Sequence, residues 1–267
     1  MQHAIRSHLG PVARVGTQLT YLPTCSSTND LLKAMAEAGA AEGTVLVAGE
    51  QTAGKGRLGR SFTSAAGKGV YLSALLRPEL PPEALLPLTG FTAEAVRRAV
   101  LRVTGTQAGI KWVNDLLLNG KKLCGILTES AFSSGGRLRY AVVGVGLNVN
   151  YDAEDFPEEL RSLAGSLKTE LGRSFDLAPL AAAMIEELDR LYAALLDGAT
   201  GPYLAAYRRR CLTLHRDVLL LQNGVSAPAH VLDVDEALGL VVRFPDGREA
   251  LIRSGEASVR GLTGYAD

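Results

Sequence analysis

The chain has 267 residues, and its 28 basic and 28 acidic side chains leave no net charge, which speaks against a general nucleic-acid binder. That length suits one large domain or a main domain with a small appendage. The longest apolar runs, "ALLPL" and "VLLLQ", are too short to cross a bilayer, and "MQHAIRSHLGPVARVG" lacks the apolar core of a secretory signal. Cys25, Cys124 and Cys211 are odd in number and widely spaced, so reduced thiols are expected in a soluble cytoplasmic protein with no membrane partner.

In chain order, "SSTNDLLKAMAEAGA" offers capping residues, then Leu31, Leu32 and Met35 at helical spacing, predicting a helix over 28–38. "TVLVAGE" reads as a buried strand, a glycine-rich loop follows, and "GVYLSALLRP" is a second strand closed by Pro78. "EALLPLTGFTAEAVRRAVLRVTG" has the period of a long core helix in which Pro87 predicts a kink. Residues 108–150 then change period, and the turn signals Asn119-Gly120 and 133–136 predict three successive antiparallel strands. "LAPLAAAMIEELDRLYAALLDG" and "PYLAAYRRRC" restore the helical period. From Thr213 short strands return with a hairpin turn at Asp246-Gly247, which suggests a small barrel. Helices clustered apart from a largely antiparallel sheet make the main domain α+β.

The loop "GEQTAGKGRLGRSF", 49–62, follows a buried strand and carries three cations. Gly49, Gly54 and Lys55 fit the start of a P-loop, but Gly56 stands where the magnesium-binding hydroxyl is needed; Gly54, Gly56 and Gly59 spell GxGxxG, yet no helix follows. The composition still suits an anion, because glycines let backbone amides turn inward while Lys55, Arg57 and Arg60 bring positive charge. In "KWVNDLLLNGKKLCGIL", Lys111, Asn114 and Asp115 lie at one strand end, and a hairpin at Asn119-Gly120 would return Lys122 toward Asp115. "VVGVGLNVN" places glycines inside a strand, a mark of close approach by a ligand or backbone. Read singly, each stretch has an ordinary explanation: a solvated surface loop, a turn cap at Asn114 and Asp115, an exposed hairpin lysine, glycines that serve packing.

Together, "SSTND", "GEQTAGKGRLGRSF", "KWVNDLLLNGKKLCGIL" and "GVGLNVN" stand in an order and spacing that resemble the biotin protein ligases, in the form without an N-terminal DNA-binding domain. The resemblance runs over essentially the whole chain; about 25 residues precede "SSTND", fewer than a helix-turn-helix domain needs. It implies an α+β catalytic domain over 1–212, like that of the class II aminoacyl-tRNA synthetases, and a small C-terminal all-β barrel over 213–267. It also implies a reaction: biotin is activated by ATP and magnesium as biotinyl-5'-adenylate, then passed to a lysine of a biotin carboxyl carrier protein. No nucleic-acid partner is implied, and exposed sheet edges would allow a homodimer.

Residue by residue, the resemblance puts Arg57 and Lys122 against the biotinyl carboxyl and the α-phosphate. Asp115 becomes the carboxylate nearest magnesium, or a structural acceptor for the loop. Ser27, Thr28, Asn29 and Gln51 fall to the biotin head, the backbone of Gly54, Lys55 and Gly56 closes over the ligand, and Gly125 and Ile126 form the opposite wall. Arg60, Phe62, Lys111, Asn114 and Asn148 fall to the nucleotide, with Asn148 at the adenine edge, and Arg260 approaches it from the second domain. Three positions depart from the family's usual pattern: Val113 for proline, Lys55 for arginine and Phe62 for tryptophan. Two other functions fit parts of the pattern: a lipoate or octanoyl ligase or transferase on the same catalytic fold, and a non-catalytic sensor of biotinyl-adenylate. Trp112 reads as core and Cys124 as a packed small hydrophobe, while the scattered histidines and the arginines 208–210 carry no assigned role.

Overall fold

The computed structural model describes residues 1–222, 225–253 and 258–261. Its larger sheet has seven strands: β1 Gln18–Leu22, β2 Thr44–Ala48, β3 Gly69–Leu76, β4 Gly109–Lys111, β5 Asp115–Leu118, β6 Lys121–Phe132 and β7 Leu138–Asn148. Their order is β1-β2-β3-β7-β6-β5-β4, antiparallel throughout except for the parallel pair β1 and β2. Six helices accompany them: α1 Gln2–His8, α2 Thr28–Glu37, α3 Leu88–Thr104, α4 Leu167–Leu171, α5 Leu177–Leu196 and α6 Gly201–Arg210.

Strand β3 is buried along its whole length, as expected of a strand covered on both faces. Val70, Leu72, Ala74 and Leu76 belong to the main core with α3 and α5, whereas Leu75 joins Leu32 and Ala36 of α2 on the opposite face. The alternation continues on β6 and β7: Cys124, Ile126, Val143, Val145 and Leu147 enter the main core. Gly125, Gly144 and Gly146 therefore lie on the α2 face. Register brings Gly125 opposite Gly146, and Ser73 opposite Gly144. Near the N-terminus of α2 the three glycines leave this face room for Asn29, Phe62 and Lys122 to lie close over the sheet.

Residues 108–150 form four strands where the sequence suggests three, because the "KWVND" segment turns between β4 and β5; the Trp112-Val113 peptide in that turn is cis. Pro87 does not kink the third helix but stands at its N-cap, after a separate 3-10 turn over Pro82–Leu85; its missing N–H would be an orphan there in any case. Two elements near the N-terminus, α1 and β1, carry little periodicity of their own. Both are held by side chains, with Gln2 accepting from the Tyr21 amide at 3.0 Å and Asp189 of α5 accepting from the amides of Ala13, Arg14 and Val15, each at 2.8 Å.

The second sheet contains β8 Asp217–Gln222, β9 Val225–Val234, β10 Leu240–Arg243, β11 Glu249–Ile252 and β12 Ser258–Gly261, ordered β11-β10-β9-β8-β12 and antiparallel. The Asp246-Gly247 turn joins β10 to β11 as its sequence suggests. This sheet abuts the larger one through Leu238: a Cβ on Gly90 of α3 would lie 2.3 Å from the Leu238 side chain, and the Trp112 indole donates to the Leu238 carbonyl at 2.7 Å. Arg208, given no role from the sequence, ties α6 to this sheet through Asp233 and the Val234 carbonyl. Among the described residues no helix is long and apolar enough to cross a membrane.

Candidate active site

Ser27 caps α2, its hydroxyl accepting from the Asp30 amide, and so fixes where the helix starts. The two residues that follow, Thr28 and Asn29, are 3% and 5% exposed and turn toward the glycine-floored part of the sheet. There a cavity of about 480 Å³ opens. Gln51 enters from the glycine-rich loop, its carbonyl accepting from the Thr28 amide at 2.8 Å and its amide donating to Ser64 at 2.9 Å. A Cβ on Gly144 would meet Asn29 Oδ1 at 2.1 Å, and one on Gly146 would meet the Phe62 ring at 2.5 Å. Both glycines thus serve close packing and the cavity at once.

The loop folds back on itself as an irregular hairpin, with bridges from Gln51 to Ser64 and from Lys55 to Ser61, and Leu58 at its tip is left-handed and exposed. A hydroxyl pair at its base, Tyr71 and Tyr151 at 2.6 Å, anchors Ala65. Lys55 pairs with Asp30 at 2.6 Å, so its side chain braces the loop against α2. Gly54 lines neither cavity, since the close approach that excludes a Cβ there is to the loop's own Phe62 carbonyl, 2.3 Å away.

A second cavity of about 740 Å³ lies beside the first, bounded by Arg60, Lys111, Trp112 and Asp115, and by Val259 of β12. Gly56, Arg57, Phe62, Asn114 and Lys122 line both cavities and form the waist between them. Arg57 donates to Asn114 Oδ1 at 2.9 Å, and Asn114 in turn donates to the Ile126 carbonyl at 3.0 Å. Burial lowers the pKa of the Arg57 guanidinium, with nearby Asp115 opposing that trend. The hairpin delivers Lys122 as its sequence suggests, Nζ lying 2.8 Å from Asp115 Oδ1, and the Lys122 backbone is clamped by Leu163 and Gly165. Cys124 faces the main core, where burial pushes its thiol pKa up.

Asn148, expected at the adenine edge, lines neither cavity; it is 4% exposed and its amide donates to the Gly165 carbonyl at 3.1 Å. Arg260 lies on β12 with its backbone opposite Leu219, next to the cavity-lining Val259, and its side chain falls outside the described residues. Three polar residues of the network were not singled out from the sequence: Ser64, Ser73 and Glu129. Ser73 had a signal, a lone hydroxyl inside the apolar run "YLSALL", because a buried polar group needs a partner. Among the described residues no three His, Cys, Asp or Glu side chains gather to hold a metal, and Asp115 is the carboxylate of the second cavity's lining. Such a site suits Mg²⁺ bound mainly by a ligand's phosphates with one carboxylate in support.

Residues 21–148 match the Biotin/lipoate A/B protein ligase family. That match and the fold define the class. The biotin--[acetyl-CoA-carboxylase] ligase of Mycobacterium tuberculosis is 32% identical over 264 residues, covering 96% of this chain and 94% of the relative. The bifunctional ligase/repressor BirA of Bacillus subtilis is 42% identical over 164 residues, 61% of this chain and 50% of the relative, so the chain spans about half the length of that protein. A structure of biotin protein ligase from Aquifex aeolicus in complex with biotin and ATP superposes with a TM-score of 0.77 at 29% identity, covering 92% of this chain and 99% of the other. The chain belongs to the biotin protein ligase family.

Proposed function

We propose that this chain joins biotin to ATP as biotinyl-5'-adenylate and then transfers biotin to a specific lysine of a biotin carboxyl carrier protein. The observation that carries this reading is the waist: two cavities of unlike character meet where Arg57 and Lys122 stand together. The first cavity is glycine-floored and ends in fixed polar groups, which suits the bicyclic ureido head of biotin. The second, wider and flanked by Arg60 and Lys111, suits the nucleotide. A carboxylate from one side and an α-phosphate from the other would meet at the waist.

In the first step a biotin carboxylate oxygen attacks the α-phosphorus, forming a new P–O bond as the bond to the departing pyrophosphate breaks. Two anions repel as they close, and two preplaced cations lower that cost and fix the in-line approach. Arg57, held by Asn114, presents a planar donor set to the oxygens, while Lys122 supplies a point charge kept in place by Asp115. Mg²⁺, when bound with ATP, would neutralise the outer phosphates, with Asp115 the protein group nearest to it. In the second step the carrier lysine's amine attacks the acyl carbon, the acyl–phosphate C–O bond breaks, and AMP leaves. No enzyme nucleophile is needed.

Under this reading 1–212 carries the chemistry and 213–267 walls the nucleotide cavity through Val259, in a cytoplasmic enzyme that draws on cellular ATP. A lipoate or octanoyl ligase is disfavoured by the polar end of the first cavity, where a dithiolane or alkyl chain would leave hydrogen-bonding groups unmatched. The test is transfer of labelled biotin to a purified carrier domain with magnesium and ATP, beside a control without ATP. ATP-dependent labelling of one carrier lysine is expected. A folded protein that gives no labelling and no pyrophosphate release would overturn the proposal.

A further inference from the structure

The turn over 112–114, between β4 and β5, carries Asn114 to the waist, and it is gripped from two sides. On the site side β6 holds it: the Ile126 backbone N–H donates to the Asn114 carbonyl at 3.0 Å, and the Asn114 side-chain amide donates to the Ile126 carbonyl at 3.0 Å. Asn114 Oδ1 thereby faces Arg57, from which it accepts at 2.9 Å. On the far side the partners come from beyond residue 200. Tyr207 of α6 donates to the Val113 carbonyl at 3.4 Å, the Trp112 indole donates to the Leu238 carbonyl at 2.7 Å, and the Trp112 backbone N–H donates to Thr213 Oγ1 at 3.0 Å.

Thr213 lies between α6 and β8, in a strap over 211–213 that runs along β4, the outermost strand of the larger sheet. Ile110 and Cys211 form a parallel bridge and the Leu212 N–H donates to the Ile110 carbonyl at 2.8 Å, so backbone pairing covers this edge. At Trp112 a side chain takes over the acceptor's part. Thr213 is 5% exposed and Trp112 4%, so loss of the hydroxyl would leave a buried N–H without its acceptor, a costly state that the backbone relieves by shifting. Asn114 is two residues along.

We propose that Thr213 is a positioning residue for adenylation: its hydroxyl fixes the 112–114 turn, the turn fixes Asn114, and Asn114 holds the Arg57 guanidinium at the waist. The inference rests on the ligase reading above, and it gives the strap into the second sheet a part in the first step that the wall contact through Val259 does not supply. Arg57 belongs to the glycine-rich loop, which Lys55 braces against α2, whereas Asn114 ties that loop to the strand pair that carries Lys122. A displaced Asn114 lets the two cations drift apart at the point where the carboxylate and the α-phosphate close. The far end of the first cavity, built from α2 and Gln51, has no part in this chain of contacts, so ground-state binding of biotin should survive.

The experiment is single-turnover pyrophosphate release at varied biotin by the full chain as wild type, Thr213→Val and Thr213→Ser, each also in an Asn114→Ala background. Emission of Trp112, the chain's single tryptophan, is recorded on the same samples. Valine keeps the shape and removes the hydroxyl; serine restores it. Thr213→Val is expected to lower the maximal rate on the order of tenfold, with the half-saturating biotin concentration retained, and to shift the Trp112 emission, while Thr213→Ser stays near wild type in all three. In the Asn114→Ala background the valine substitution should cost little more, since the link it acts through is already gone. Should Thr213→Val fail to fold, Thr213→Cys, a weaker acceptor of similar size, carries the same comparison. An unchanged maximal rate in the folded variant, a loss that serine does not restore, or an equal loss in both Asn114 backgrounds would overturn the role of Thr213 while leaving the ligase reading intact. Absence of pyrophosphate release by the wild-type chain would instead remove the ligase reading, and this role with it.

Discussion

Replacing Lys122 by alanine separates chemistry from folding, because the structure sets a different magnitude for each. The Lys122 side chain is 27% exposed and its partner Asp115 10%. Breaking a fully buried pair costs about 3–5 kcal/mol, but partial exposure of the lysine and the nearby charge of Arg57 reduce this to roughly 1–3 kcal/mol. At the waist, removing one cation aimed at developing charge should slow adenylation by about 10²–10³, equivalent to roughly 2.7–4 kcal/mol. The assay is single-turnover pyrophosphate release with saturating biotin and ATP, read beside the thermal midpoint of the same preparation. A folded variant with much slower adenylation is expected, and Lys122→Arg should restore part of the rate by returning a positive charge. Near-normal adenylation in Lys122→Ala would refute the reasoning and remove Lys122 from the first step.

Arg57→Gly should speed dissociation of the adenylate by about tenfold or more, since a charge-assisted contact is lost, and a chase of labelled adenylate with unlabelled ligand measures it. Gly146→Ala sets a methyl 2.5 Å from the Phe62 ring and should weaken biotin binding by displacing that ring from its seat over the glycine floor; titration calorimetry would show unchanged affinity if the ring is irrelevant. Asp30 is held below its ordinary pKa of 3.8, first by the hydrogen bond from Lys55 and then by Lys33. A carboxylate with a depressed folded pKa stabilises the fold above its unfolded pKa and loses that contribution as pH falls through the folded value. The loop over 51–61 should therefore exchange its amides relatively faster once pH drops below the ordinary carboxylate range, an effect absent in Asp30→Asn. Biotin with ATP should slow exchange in the same loop, and equal exchange with and without ligand would count against its closing on them.

Local patterns were legible where a residue's job depends on its near neighbours. The helix start at Ser27 and Thr28 follows from capping chemistry, and the approach of Lys122 to Asp115 follows from a two-residue turn between strands. A helix-period pattern spans Pro87 and suggests a kink where the structure has a helix start, because a proline that begins a helix and one that kinks it look alike in periodicity alone. Strand β1 and helix α1 have no pattern of their own because residues distant in the chain hold them, Gln2 accepting from the Tyr21 amide and Asp189 of α5 fixing the connecting segment 13–15. The bond from the Asn148 amide to the Gly165 carbonyl, seventeen residues away, is likewise set by the fold.

By itself the sequence determined the α+β class, the glycine-rich and cation-bearing loop, and the biotin protein ligase family, because helix period, turn chemistry and motif spacing act over short stretches of chain. Tertiary structure alone decided that Gly125, Gly144 and Gly146 share one face of the sheet beside α2, and that Arg57 and Lys122 stand at a waist between two cavities. It also decided that the Ser73 hydroxyl, inside an apolar run, meets Thr28 and Asn29. Those facts depend on strand register and on which hydroxyl faces which oxygen across the fold, distances that no single segment of the chain encodes.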